Sequence, residues 1–231
     1  MQLTFDLPHR IASSRADFLT SDSNVAAVGW IDRSPDWPSR ALALYGPAGC
    51  GKTHLVNLWC AQTSGIAIAG QVLTDEIVAR LASERRFRIA IDNADRASEL
   101  PFLHLFNLCL ENRGLVLLAS RRPPTSRRVM LADLDSRLRA VLAIGIGLPD
   151  DALLEAVLVK HFADRQLRVA PGVVAHLIRH MERSFVAAAE MAARLDLISL
   201  RDRRAITVPL ARQVLLEAEL HFPPNRDAGV T

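Results

Sequence analysis

The chain has 231 residues, 50% of them hydrophobic and 23% charged, which excludes a disordered or fibrous polypeptide and leaves enough apolar material for one domain or two small ones. Its net charge is only +3, with 28 Lys and Arg against 25 acids, so no dense basic stripe marks a nucleic-acid module and charge argues neither for nor against DNA. Cys50, Cys60 and Cys109 show no metal-ligand spacing and suit a reducing, cytoplasmic setting, while the lack of a signal sequence or a long apolar run gives no membrane partner.

In chain order, residues 1–25 are polar and irregular and read as a mostly extended leader. Trp30 and Trp37 then flank a helix-to-strand connection, where they either pack the leader on the core or line a base pocket. Ala41–Tyr45 is a short apolar run that ends at glycine, and Lys52–Gln62 follows with helical character. Ile66–Ala69 reads as a second strand, and Asp75–Ser83 as an amphipathic helix opened by Thr74. Phe87–Ile91 is a third apolar run, ending in Asp92. A helix over Leu100–Asn112, a strand over Leu115–Ala119 ending at Ser120, and a fifth run over Val141–Ile146 complete the alternation. Strands separated by helices imply a parallel sheet covered on both faces. Beyond Pro149 the pattern becomes purely helical, over Asp151–Arg165, Pro171–Met181, Ser184–Leu200 and Pro209–Leu220. The expected fold is an α/β parallel-sheet core over 9–149, an all-α domain over 150–222 and a loose tail over 223–231, after an N-terminal peptide at 1–8.

The chemistry concentrates in Gly46-Pro47-Ala48-Gly49-Cys50-Gly51-Lys52-Thr53, a P-loop pattern placed between a strand and a helix as its mechanism requires. Its glycines let backbone N–H groups turn toward phosphates, and the helix N-terminus adds positive potential. Lys52 is the candidate for the β- and γ-phosphates, and Thr53 for Mg²⁺. Cys50 contributes a backbone N–H, and its thiol is a candidate for oxidation. His54 is expected to pack near the loop as a helix residue. Asp92 ends its strand as either the second metal-side acid or a simple helix cap. It is followed by Asn93, whose amide takes no proton, so self-catalysed hydrolysis is expected to be slow unless Asp95 substitutes.

With the P-loop, Ile91-Asp92-Asn93, Leu105-Phe106-Asn107-Leu108, Ser120-Arg121-Arg122-Pro123-Pro124 and Leu134-Asp135-Ser136-Arg137-Leu138 in this order, the chain resembles the AAA+ ATPases, and within them the DnaA-related Hda group of regulatory inactivators. The resemblance spans almost the whole chain. It implies an AAA+ core with a helical lid, ADP or ATP with Mg²⁺ as cofactor, and a sensor-1 role for Ser120. It implies that Arg137 is an arginine finger for the nucleotide site of DnaA, and that Gln2, Leu3, Phe5 and Leu7 form a peptide that docks on the β sliding clamp of DNA polymerase III. On its own residues that peptide also reads as an edge strand. Departures are equally specific: Arg121 stands where an acid usually follows the sensor-1 serine, and the sensor-2 arginine aligns with Val186, leaving Arg183 as the nearby substitute.

These expectations describe an adaptor with weak intrinsic ATPase, bound to DNA mainly through the clamp, with a homo-oligomer left open. A self-sufficient DNA-dependent ATPase such as a helicase loader is the alternative; it needs a base that Asn93 does not offer. A small-molecule P-loop kinase fits the long helical C-terminal region poorly.

Overall fold

A computed structural model describes residues 19–221. They divide into two compact units, residues 19–47 with 52–146, and residues 48–51 with 147–221. The clamp-peptide residues Gln2, Leu3, Phe5 and Leu7 and the tail over 223–231 lie outside the described residues.

The first unit opens with helix α1 (Val25–Asp32), followed by β1 (Ala41–Tyr45), α2 (Lys52–Thr63), β2 (Ile66–Ala69), α3 (Asp75–Ser83), β3 (Arg88–Asp92), α4 (Glu99–Glu111), β4 (Leu115–Ser120), α5 (Ala132–Ala140) and β5 (Leu142–Gly145). All five strands are parallel, in the order β2-β3-β4-β1-β5, which realises the expected α/β sheet. Burial explains the strand composition. Every residue of β4 is buried and β1 is buried up to Tyr45, as befits central parallel strands covered on both faces. Ile89, Ile91, Val116 and Leu118 share one core with Phe102, Leu105 and Phe106 of α4 and with Leu134 and Leu138 of α5.

Helix α3 starts as its sequence dictates, with the Thr74 hydroxyl accepting the N–H of Ile77 at 3.4 Å. Trp37 takes a packing role, and Trp30 enters through its backbone carbonyl. Trp37 is 3% exposed, stacks on Trp59 of α2 at 5.5 Å, and donates its indole N–H to the carbonyl of Trp30 at 2.7 Å. They therefore fix the α1-to-β1 connection on α2.

The second unit contains α6 (Asp151–Asp164), α7 (Pro171–His180), α8 (Phe185–Asp202) and α9 (Val208–His221). Local capping starts two of them: Asp150 accepts the N–H of Leu153 at 2.8 Å, and Ser184 that of Ala187 at 3.0 Å. Helix α6 packs on α8 and α7 on α9, around Leu154, Leu158, Phe162, Leu177, Met191, Leu195 and Val214. Among the described residues, no helix is long and apolar enough to cross a membrane.

Candidate functional site

Strand β1 lies between β4 and β5, while its own chain continues to the opposite edge strand β2. This reversal of connection direction creates the crevice at the carboxyl ends of the strands where open α/β sheets take ligands. The loop Gly46–Gly51 leaves β1 there. Gly49 and Gly51 have φ of 75° and 98°, a region where a Cβ is strained, so the turn that points successive N–H groups one way depends on glycine at both positions. The Gly46 N–H donates to the carbonyl of Ser120 at 3.3 Å, tying the loop's start to the end of β4.

Three predicted site residues converge within the first unit. The Lys52 ammonium donates to the carbonyls of Gly46 at 2.8 Å and Pro47 at 2.6 Å, folding it over the loop rather than out to solvent. The Thr53 hydroxyl donates to one carboxylate oxygen of Asp92 at 2.8 Å, and the other oxygen accepts the N–H of Asn93 at 2.9 Å. A hydroxyl and a carboxylate in contact form a hard-oxygen donor pair of the kind Mg²⁺ accepts. This pair therefore suits Mg²⁺. Asn93 sits in the left-handed region at φ 53°, aided by its short amide, and Asp95 is exposed in the 3₁₀ turn that follows.

Other predicted residues lie apart or are otherwise engaged. Ser120 is 6% exposed and donates its hydroxyl to the carbonyl of Arg122 at 2.6 Å. It also lines a pocket of about 310 Å³ with Phe102, Leu118, Leu138, Arg121 and Arg127. Arg183 is ion-paired with Asp151 at the start of α6. Val186 is exposed on α8. Arg137 is half-buried on α5, held there by Leu134 and Leu138, and its Nε is buried with no hydrogen-bond partner among the described residues. One expectation is corrected: Cys50 is only 2% exposed, so its thiol is shielded from oxidants by packing. Burial also pushes the Cys60 and Cys109 thiols up to about 11 and about 12, leaving them protonated and inert.

Burial holds His54 below the usual histidine range. Because its folded pKa lies under the unfolded value of about 6.5, the unfolded chain binds the proton more readily, so this group's contribution is whole above that pH and declines as pH falls through it. His54→Gln is expected to flatten the loss of melting temperature between pH 7.5 and 5.5. An unchanged slope in thermal melts at the two pH values would contradict the assignment. His176 is lowered in the same direction, first by burial and then by His180, Arg179 and Arg212.

Two residues that the sequence reading passed over frame the segment before α5. Arg127 donates to the carbonyls of Ala94 at 2.9 Å and Ala97 at 2.6 Å. Glu99 accepts the N–H of Met130 at 3.0 Å and of Leu131 at 3.0 Å, bonds that hold its carboxyl below the usual range with help from Arg127. No local signal distinguishes either residue in an Arg-rich chain.

Residues 150–215 match the family described as Hda, lid domain. The chain is 26% identical over 187 residues to the chromosomal replication initiator protein DnaA of Thermus thermophilus, covering 70% of this chain and 42% of that one. Domain III of DnaA from Thermotoga maritima superposes with a TM-score of 0.76 at 15% identity, over 92% of this chain and 98% of that one. The chain is similar to Hda over its lid and to DnaA over most of its length, and it has the AAA+ fold. Its expected fold, an AAA+ α/β core followed by an all-α lid, is thereby borne out. Two further structures share this AAA+ fold. AMPPCP-bound DnaA from Aquifex aeolicus has a TM-score of 0.65 at 18% identity, covering 87% of this chain and 68% of that one. The Holliday junction branch migration motor RuvB of Thermotoga maritima has a TM-score of 0.62 at 17% identity, covering 77% and 61%. This AAA+ chain spans less than half the length of the DnaA relatives it matches in sequence.

Proposed function

We propose that this protein is an adenine-nucleotide-binding AAA+ adaptor of chromosomal replication, which docks on the β sliding clamp through Gln2, Leu3, Phe5 and Leu7 and presents Arg137 to the ATP site of DnaA. The observation that carries the reading is the match of residues 150–215 to the lid of Hda, joined in one chain to a P-loop and to Arg137.

Each part of the protein has a stated task. The loop N–H groups of 48–53 and the Lys52 ammonium hold the phosphates of ADP or ATP, and the Thr53 hydroxyl and Asp92 carboxylate hold Mg²⁺. Magnesium, when bound, neutralises phosphate charge. Ser120 and Arg183 stand as candidates for contact with the nucleotide, with Ser120 tied to its own turn and Arg183 to Asp151. Asn93 offers no general base, so bound nucleotide serves as a structural ligand more than a substrate. The Arg137 guanidinium then supplies positive charge where it develops on the γ-phosphoryl group in DnaA, and hydrolysis takes place in the partner. Conversion of DnaA from its ATP to its ADP form lowers initiation.

Adding the protein to ATP-loaded DnaA with clamp-loaded DNA is expected to accelerate ATP hydrolysis by DnaA. Removing residues 1–8 is expected to abolish both that stimulation and retention on immobilised clamp. Retention that survives the truncation would reject the tether, and no acceleration by the intact protein would reject the adaptor reading.

A further inference from the structure

Hydrogen bonds linked by short stretches of backbone within the first unit join the candidate nucleotide site to the helix that carries Arg137. The route starts at Thr53, whose hydroxyl donates to Asp92, and passes through the second oxygen of Asp92 to the N–H of Asn93. The Asn93 carbonyl accepts the N–H of Arg96 at 2.9 Å, closing the 3₁₀ turn Ala94–Arg96. The guanidinium of Arg127 donates to two carbonyls of that turn and its end, Ala94 and Ala97. Two residues after Ala97, the carboxylate of Glu99 binds the N–H groups of Met130 and Leu131, the two residues just ahead of α5.

The chemistry of these links makes them stiff. Both are charge-assisted and both are forked, which fixes direction as well as distance. Helix α5 has no side-chain cap of its own; Leu131 stands at the N-cap, so the start of the helix is anchored by Glu99 instead. A negative group there also favours the positive end of the helix dipole. A displacement of Asp92 and Asn93 therefore acts on Arg127 and Glu99 before it reaches α5.

We propose that Arg127 and Glu99 are positioning residues that couple the state of this chain's own nucleotide site to the placement of Arg137. The inference rests on the reading of residues 46–53 as a nucleotide loop, and it adds a regulatory route: bound nucleotide sets Asp92, the 3₁₀ turn follows, and the two forked links carry the shift into α5. A purely mechanical role for the same links predicts lower stability without any change in response to ligand.

Four methionines make the test simple. In protein labelled with ¹⁵N-methionine, the Met130 amide reports directly on its bond to Glu99. Saturation with Mg-ADP is expected to shift this resonance in the wild type and equally in Arg137→Ala, which lacks the finger but keeps both links. In Arg127→Gln the shift is expected to fall at least about threefold, while calorimetry on the same samples gives ADP affinity within about threefold of wild type. Glu99→Gln, a near-isosteric change that provides a second reading if Arg127→Gln folds poorly, is expected to move the Met130 amide proton upfield before ligand is added and to lose the response to ADP. A Met130 resonance that ignores bound ADP in the wild type, or moves as far in both variants, would overturn the coupling and leave the nucleotide reading intact. Absence of ADP binding in all of them would reject the nucleotide reading and the coupling together.

Discussion

Arg137→Ala is expected to lower the stimulated rate of ATP hydrolysis by DnaA about 10³-fold, a loss of roughly 4 kcal/mol of transition-state stabilisation. The magnitude follows from what a guanidinium does beside a phosphoryl group in transfer: it meets charge that grows only as the bond breaks, so its removal appears in the maximal rate rather than in binding. The variant should fold normally. Leu134 and Leu138 carry the burial of α5, while Arg137 leaves its Nε desolvated and unsatisfied in the isolated protein, so truncation to alanine removes a cost instead of a bond. Arg137→Lys retains charge but lacks the planar fork and should restore only a small part of the rate. Turnover assays with DnaA in limiting amounts, read as maximal rate and half-saturating concentration, check both. A loss confined to half-saturation would assign Arg137 to docking.

Lys52→Ala is expected to weaken ADP binding about 100-fold, since bonds from an ammonium to phosphate oxygens contribute roughly 1.5–3 kcal/mol each. Its melting temperature should change little, because Lys52 opens α2 outside both hydrophobic cores. The contrast matters, for a variant that merely unfolds proves nothing about ligands. Adenine nucleotide released from purified protein on denaturation, quantified by chromatography, is expected from the wild type and absent from the variant. Equal amounts from both would remove Lys52 from the site.

Where sequence carried its own punctuation, the fold was legible residue by residue. Ile66–Ala69 stands between Gly65 and Gly70 and is a strand with those bounds; Asp75–Ser83 has a threonine before it and is a helix with those bounds. Helix α5 escaped notice for a physical reason. Its nine residues hold only Leu134 and Leu138 as an apolar pair, and its anchoring carboxylate, Glu99, comes from about thirty residues upstream, beyond any local pattern. Arg127 was invisible on the same grounds, as one arginine among many whose partners are backbone carbonyls. At the candidate site, the spacing of the P-loop and the strand-ending Asp92 anticipated that Thr53 and Asp92 would meet. The shielding of Cys50 was not readable, because burial of a loop thiol depends on packing that no short motif encodes.

On the proposed reading, the turn between β1 and α2 recognises phosphate through main-chain donors and one lysine. Calorimetric titration of nucleotide-free protein with ADP and, separately, with adenosine decides the matter. One ADP per chain, with adenosine bound at least about 100-fold more weakly, is the predicted result. Equal affinity for the two would contradict it.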